Sequence, residues 1–416
     1  MRETKIVTYI SSSFLPEDII KKILLRLDVK SLMRFRCVCK SWQSLICEPT
    51  FTKMHFNLQP SSIIVFDNIF LNNNAKRESK FLVHGSGNFG ENSTYKIPEN
   101  IGNDFSRVVG CDGGILCLSD FFLDIAYLWN PATNEVKKLP PSPRERFFPH
   151  SSNLRESLNH QVGFGIDRLT NDFKVLRLRF AFHNKDPLKN RSEVAVYSLR
   201  TNSWKTIENP RIFSSSEPYP SLTYSLRWST YSKISVVVNG SIHWMFMFER
   251  SSRIHASSID HDQGQSFGIV AFDLNTEVFS MINLPQHKEG SRVKNIGKMF
   301  ECLSFIFDAQ ELIEIWVMKE HDVKDSWIKH TTVDLTKCPI PQIDCFCAPF
   351  SLGNKSYVLF YSDNKLVWYD VMSDALGYLG TSKQYVDQFA LYAESIVQIG
   401  GDKDFDEHHR MAGKNC

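Results

Sequence analysis

Residues 127–140 read YLWNPATNEVKKLP: an aromatic strand, a short polar turn and a return strand. The same order recurs at residues 194–207 (VAVYSLRTNSWKTI) and 269–282 (IVAFDLNTEVFSMI), and more loosely at residues 366–378 (LVWYDVMSDALGY). In each copy an Asn, Ser or Asp lies three positions before a Thr or Ser, where its side chain can bond the turn backbone. The pattern therefore predicts a repeated β-hairpin. Its predicted turn caps are Asn130, Ser198, Asp273 and Asp370.

A second kind of hairpin is indicated between these copies. Residues 111–115 (CDGGI), 237–244 (VVNGSIHW) and 352–358 (LGNKSYV) carry tight-turn residues between apolar runs. Two hairpins make a four-stranded sheet, and repeated sheets of this kind are typical of propeller blades. We predict an all-β, β-propeller-like domain of about six irregular blades. Residues 61–98 and 389–399 are expected to share the blade that closes the ring.

Aromatic residues recur at matching positions of the predicted hairpins. On a strand with one buried face, such residues more often pack between sheets than contact a ligand. We therefore predict that they form the core between blades. They are Trp129, Tyr197, Trp204, Phe272, Trp316, Trp327 and Trp368.

Four long segments without hairpin patterns interrupt the predicted strands, at residues 144–157, 183–192, 213–231 and 248–263. Loops on a rigid β scaffold commonly carry recognition. Their arginines suit an acidic or polar protein face, although each could equally be a solvated loop charge. The predicted substrate contacts are Arg144, Arg146, Arg155, Arg191, Arg227, Arg250 and Arg253.

The N-terminal part has a helical pattern instead. Between Pro16 and Leu27, apolar residues fall at helical spacing, and two further short helices are predicted over residues 31–40 and 41–46, with Pro49 ending the third. Three short helices make a poor core alone, so we expect a docking partner. Residues 14–56 hold eight Lys or Arg and four Asp or Glu, which suits an acidic helical partner.

Composition narrows the remaining classes of function. The 416 residues carry a net charge of +2, so no bulk field favours nucleic acid or a membrane surface, and we expect neither as a partner. No apolar run approaches the ~18–20 residues of a membrane span. Residues 1–14 lack the features of a secretory signal, and ten cysteines show no disulfide-scaffold density. We expect a soluble intracellular protein that is cytoplasmic, nuclear or both.

Catalytic and metal-binding motifs are not found in the sequence. It has no nucleophile elbow, phosphate-cradling glycine loop or H-E-x-x-H motif. Cys338, Cys345 and Cys347 lie near Asp344, but their spacing lacks the paired C-x₂-C of structural zinc sites. We predict no metal, no cofactor and no enzymatic activity.

Residues 14–56 closely resemble the F-box. The resemblance is carried by FLPEDII from residue 14, by KSL at residues 30–32 and by VCKSW at residues 38–42. Asp28 departs from the family, since many plant members have proline there, and this alters only a helix junction. The resemblance implies three helices that dock on a Skp-family adaptor. The adaptor contacts it implies are Leu15, Pro16, Ile19, Ile23, Leu32, Val38, Lys40 and Trp42.

Residues 60–400 resemble the plant F-box-associated domain, which is kelch-like and propeller-like. The resemblance is carried by LWNPAT at residues 128–133 and by the matching passages at residues 163–175, 196–204 and 314–327. The group includes the pollen S-locus F-box proteins. Residues 401–416 are predicted to be a disordered tail.

Together these resemblances imply a substrate-recognition subunit of a Skp–cullin–F-box ubiquitin ligase, which recruits a protein for ubiquitination and degradation. One alternative is an S-locus-type receptor for non-self S-ribonucleases in pollen self-incompatibility. An alternative of another class is a kelch-like enzyme or carbohydrate-binding module.

Overall fold

The computed structural model describes most of the chain between Leu15 and Gly400. The predicted tail at residues 401–416 and residues 1–14 lie outside the described residues. The described ranges are 15–71, 76–85, 89, 91–101, 105, 107–120, 125–143, 156–183, 191–207, 224–228, 235–250, 265–285, 292–309, 311–321, 323, 326–336, 345–362, 365–379 and 389–400.

Four helices form the N-terminal unit: α1 (Glu17–Leu24), α2 (Val29–Phe35), α3 (Lys40–Cys47) and α4 (Pro49–Leu58). Asp28 caps α2 by accepting a hydrogen bond from the Ser31 backbone N–H at 2.7 Å. The expectation of three helices was therefore one too few. Pro49 begins α4 rather than only ending α3, because a proline at the first helical position loses no hydrogen bond.

The helices enclose a small apolar core. Its buried members include Leu24, Leu32 and Phe51, and Ile396 from the far end of the chain packs among them. The buried His55 ring bonds the Leu27 carbonyl through Nε2 at 2.8 Å, which ties α4 to the end of the first helical segment. The helical unit thus completes its core with a residue from the C-terminal segment.

Short strands make up the rest of the described chain. They are β1 (Ser62–Leu71), β2 (Lys76–Gly85), β3 (Glu91–Lys96), β4 (Arg107–Asp112), β5 (Ile115–Asp120), β6 (Ile125–Asn130), β7 (Glu135–Lys138), β8 (Glu156–Asp167), β9 (Asp172–His183), β10 (Arg191–Ser198), β11 (Ser203–Ile207), β12 (Tyr224–Trp228), β13 (Val236–Val238), β14 (Ser241–Arg250), β15 (Gln265–Asp273), β16 (Phe279–Ile282), β17 (Arg292–Met299), β18 (Cys302–Ala309), β19 (Leu312–Met318), β20 (Trp327–Asp334), β21 (Cys345–Leu352), β22 (Lys355–Ser362), β23 (Lys365–Asp370), β24 (Leu376–Leu379) and β25 (Phe389–Tyr392).

Antiparallel pairing gathers these strands into six blades within the described residues. Blades 2 to 6 are β4–β7, β8–β11, β12–β16, β17–β20 and β21–β24, and a single parallel pairing, Lys298 with Phe350, joins the last two. Blade 1 combines β1–β3 with β25, which pairs with β1 from Ser62–Tyr392 to Val65–Phe389. The predicted closing blade, shared by both ends of the domain, is confirmed.

Six apolar clusters lie between consecutive blades, and the cluster between blades 6 and 1 completes the ring. Each cluster draws side chains from both neighbouring blades. The aromatic residues predicted as inter-blade core all belong to these clusters or pack against them, from Trp129 between blades 1 and 2 to Trp368 between blades 6 and 1. The packed ring therefore forms a scaffold with its termini in one blade.

The predicted turn caps are confirmed. Asn130 Oδ1 accepts from the Ala132 N–H at 3.1 Å, and Asp273 Oδ1 accepts from the Asn275 N–H at 2.9 Å. Ser198 and Asp370 make the corresponding bonds. The residue four positions after each cap has left-handed backbone, as at Asn134 with φ 60°. A local side-chain bond thus defines the same hairpin turn in several blades.

The two faces of the propeller carry different strand ends. The turns after β4, β6, β8 and β17 either line a cavity shared with α4 or pack on the helical core, and we call this the proximal face. Because hairpin strands are antiparallel, β7, β9, β11 and β14 end at the other face, and β8, β10, β12 and β15 begin there. We call that the distal face. At about 3.3 Å per residue, the 12 residues of β8 span about 36 Å between the two faces.

Candidate functional site

Helix α1 carries apolar side chains on two faces. Leu24 is buried in the helical core and Ile20 packs against it, four positions earlier. Ile19 and Ile23, also four apart, form a second stripe that is 39% and 48% exposed. A helix in a single small core needs only one apolar stripe. The outer stripe is therefore available to a partner.

The structure divides the predicted adaptor contacts into three groups. Leu15, Pro16, Val38 and Lys40 are exposed, together with the outer stripe of α1. Trp42 is half-buried, and its ring lies 5.3 Å from that of Phe35. Seven of the eight predicted adaptor contacts thus have at least part of their side chain exposed.

Leu32 is the exception among the predicted adaptor contacts. Its exposed fraction is 0%, because α2 turns it into the helical core beside Leu24 and Phe51. In this fold it has no exposed surface to offer a partner, which disagrees with its prediction as an adaptor contact. Exposed apolar residues on α4, Met54 and Leu58, were missed because the sequence pattern did not indicate that helix.

Exposed cationic side chains outnumber exposed carboxylates on the helical unit, where Glu17, Asp18, Asp28 and Glu48 are the exposed acidic residues. Five of its cationic side chains are exposed on or beside α1, α2 and the start of α3. Such a rim around an apolar stripe favours an acidic partner and increases the rate of encounter with it. The five are Lys22, Arg26, Lys30, Arg34 and Lys40.

The strands that flank the four predicted recognition segments have ends at the distal face, and most residues of the segments lie outside the described ones. The segments fall between β7 and β8, β9 and β10, β11 and β13, and β14 and β15. Three of the predicted arginines differ from the expectation of loops: Arg191 begins β10, Arg227 lies within β12 and Arg250 ends β14. Strand pairing extends further toward the distal face than the sequence pattern indicated. The other four, Arg144, Arg146, Arg155 and Arg253, lie outside the described residues.

The stem of the first distal segment is anchored by two buried arginines and the partly buried Trp204. Trp204 Nε1 donates to the Pro140 carbonyl at 2.7 Å, Arg177 donates to Ser142 Oγ at 3.1 Å, and Arg179 donates to the Pro143 carbonyl at 2.9 Å. Arg179 also pairs with Glu193 at 2.8 Å. Burial lowers the pKa of Arg177 to about 10, and the neighbouring Arg179 charge adds to the effect.

These anchors were missed from the sequence. Arg177 and Arg179 alternate with apolar residues along β9, which is the usual pattern of a solvent-facing strand side. In the propeller that side faces blade 2, and the arginines bond the chain leaving it. The distal segment therefore departs from a fixed position.

A cavity of about 1150 Å³ lies at the proximal face, between α4 and the inner turns of the propeller. Lys53 and Phe56 line it from α4, and Glu301 and Lys298 line it from the β17–β18 hairpin. Lys298 pairs with Glu301 at 2.8 Å. Within the described ranges, no three His, Cys, Asp or Glu side chains are grouped so as to hold a metal ion. Cys338 and Asp344, for which the sequence predicts no metal, lie outside the described residues. None of the described helices is long and apolar enough to cross a membrane.

Comparisons with known proteins match both parts of the chain. A family model described as F-box domain matches residues 12–54, and a model described as F-box associated beta propeller domain matches residues 77–399. F-box protein CPR1 of Arabidopsis thaliana is 29% identical over 374 residues, covering 88% of this chain and 84% of that protein. F-box/kelch-repeat protein At3g23880, from the same plant, is 26% identical over 384 residues, covering 88% and 90%.

Solved structures give a weaker likeness. A chain from the crystal structure of a nidogen/laminin complex aligns at a TM-score of 0.37 with 10% identity, covering 80% of this chain and 99% of that one. The two family models together match most of the chain, residues 12–54 and 77–399. The chain belongs to the plant F-box proteins with an F-box-associated β-propeller domain.

Proposed function

We propose that this protein is the substrate-recognition subunit of a Skp–cullin–F-box ubiquitin ligase. The observation that carries the proposal is the outer apolar stripe of α1, Ile19 and Ile23, which the helical core does not need and leaves exposed. A Skp-family adaptor is the partner that an F-box implies, and the basic rim suits an acidic one. The adaptor in turn links the chain to a cullin.

The propeller is proposed to hold the target protein at its distal face. The strands that flank the predicted recognition segments have ends there, about 36 Å along β8 from the turns that face the F-box. Adaptor and target would thus occupy opposite ends of one scaffold without competing for surface. Arg144, Arg146, Arg155, Arg191, Arg227, Arg250 and Arg253 remain the proposed target contacts.

The protein itself would do no chemistry in this scheme. A bound target has a high effective concentration near the ubiquitin-conjugating enzyme, and orientation lowers the entropic part of the barrier. The proposal also places the protein where cullin ligases act, in the cytoplasm, the nucleus or both. No described contact selects among targets, so recognition of a non-self S-ribonuclease stays a prediction from the resemblance.

Co-purification with a Skp-family adaptor tests the proposal. The full chain, expressed with such an adaptor, should elute as a stoichiometric complex that binds a recombinant cullin. A folded chain that elutes alone would contradict the proposal. Where the test needs a form that cannot bind the adaptor, a point variant in α1 is better than deletion of residues 1–56. The deletion would expose Ile396, which packs in the helical core.

A further inference from the structure

The segment after β25, residues 393–400, runs from blade 1 past the F-box to the core between blades 2 and 3; we call it the C-terminal strap. At its start, Tyr95 Oη donates to Glu394 Oε1 at 2.8 Å. At its end, Ile399 packs in the core between blades 2 and 3, and its N–H donates to Glu135 at 3.2 Å. The strap is therefore fixed to the propeller at both ends.

Asn130 fixes the middle of the strap. Its buried side-chain amide donates to the carbonyls of Ser395 and Val397, both at 2.9 Å. Its oxygen meanwhile caps the β6–β7 turn through the N–H of Ala132 at 3.1 Å. One side chain thus uses both its donors on the strap and its acceptor on the blade.

Between these anchors the strap reaches the F-box. Ile396, 4% exposed, lies in the helical core with Leu24 and Leu32, and Ala132 of the capped turn packs against the same core. With its amide oxygen turned toward Arg36, Gln398 accepts a hydrogen bond from Nη1 at 3.3 Å. Asn130 therefore holds the backbone on either side of Ile396, the residue whose side chain enters the F-box core.

A second contact between the F-box and the propeller matters because their covalent connection is short and single. The F-box joins the propeller only through the three residues between α4, which ends at Leu58, and β1, which begins at Ser62. A single connection leaves rotation about its backbone bonds, whereas a second contact on another blade removes it. The strap supplies such a contact from the opposite end of the sequence, beside Ala132 of blade 2, which also packs on the helical core.

We propose that the C-terminal strap sets the orientation of the F-box over the proximal face, with Asn130 and Ile396 as positioning residues. The inference rests on the proposed function for its purpose: a fixed orientation would fix the path between a target on the distal face and the ligase bound to the F-box. Ubiquitin would then reach a restricted set of lysines.

The sharpest variant is Asn130→Asp. It keeps the oxygen that caps the turn and replaces the two donors with a second oxygen facing two carbonyls, so the strap alone loses its bonds. Asp273→Asn is the matched control, since Asp273 caps the corresponding turn of blade 4. Ile396→Ala is a second variant, which leaves the Asn130 bonds in place and removes the F-box contact.

The distance between probes on the two domains decides the proposal. Spin labels on non-natural residues at Lys22 of α1 and Met372 of blade 6, both exposed, report the distribution in the full chain. We expect one narrow maximum for the wild type and Asp273→Asn, and loss of that maximum for Asn130→Asp and Ile396→Ala. In a reconstituted ligase, the same two variants should become ubiquitinated at lysines of the chain that are not modified in the wild type. Their affinity for the adaptor should be unchanged.

An unaltered narrow distribution in either strap variant would overturn the proposal, as would a broad one in the wild type. If Asn130→Asp does not fold, Ile396→Ala decides by the same measurement. The distance measurement needs no adaptor. Failure of the wild-type chain to bind an adaptor would refute the proposed function. If the strap variants nevertheless lost the narrow distance distribution of the wild type, the role of the strap would still be supported.

Discussion

Replacing the outer stripe of α1 is expected to weaken adaptor binding without unfolding the F-box. In the Ile19→Ala/Ile23→Ala variant the two lost side chains are 39% and 48% exposed. Complete burial of an isoleucine is worth about 1.5–3 kcal/mol. Together the two exposed portions amount to somewhat less than one whole side chain, so the adaptor complex should lose about 1–2.5 kcal/mol, or about five- to seventyfold in Kd.

Isothermal titration of the full chain with a Skp-family adaptor gives this change directly. Leu169→Ala is the matched control, because Leu169 is 76% exposed in a turn of blade 3 and its removal should leave the Kd unchanged. Thermal unfolding of both variants checks that the F-box remains folded. An unaltered Kd in a folded double variant would refute the argument that the outer stripe is a docking surface.

Three further perturbations have expected outcomes. Leu32→Asp places a charge in the helical core and should destabilise the F-box by about 4 kcal/mol or more in denaturant unfolding; a stable variant with selectively weaker adaptor binding would show that Leu32 is a contact after all. Gly114→Ala should cost more stability than Gly353→Ala, which loses only the roughly 1–2 kcal/mol of left-handed backbone. Both glycines have positive φ, but only at Gly114 does a Cβ come within 2.4 Å of Ser395 in the strap; equal losses would contradict the close contact. Burial, with the neighbouring His321, lowers the pKa of His243 from 6.5. Unfolding therefore takes up a proton below about pH 6.5. As the pH is lowered from there, this group should reduce the free energy of unfolding by at most ~1.4 kcal/mol per pH unit. Denaturant unfolding from pH 7 to pH 5 should give a flatter profile for His243→Gln, and parallel profiles would argue against it.

The repeated hairpins could be predicted because each one is a local structure. Asn130 and its counterparts cap turns within a few residues of themselves, so the information lies in a short stretch of sequence. The closing blade could also be predicted, since a ring needs a partner for its first strands. The aromatic positions could be predicted because large apolar side chains recur at matching places in the hairpins, where each packs against a neighbouring blade.

The features that the sequence did not reveal depend on distant contacts. Leu32 has the same spacing as a docking residue, and only the packing of Ile396 and Phe51 around it shows that it is core. Pro49 is compatible with ending one helix or beginning another, and the burial of Phe51 and His55 decides for the second. Arg177 resembles a solvent-facing charge until the chain near Ser142 is placed over it.

Independent loss of the two partners is the most direct test that this protein bridges an adaptor and a target through opposite faces. Three full-length forms would be compared by quantitative mass spectrometry of bound partners from plant cells with the proteasome inhibited: the wild type, Ile19→Ala/Ile23→Ala, and a chain whose four distal segments come from a close relative. The account predicts that the α1 variant loses adaptor and cullin but keeps its target, and that the exchanged chain keeps adaptor and cullin but captures the relative's target. Loss of adaptor and target together in either folded variant, or a target that follows the α1 stripe, would contradict it.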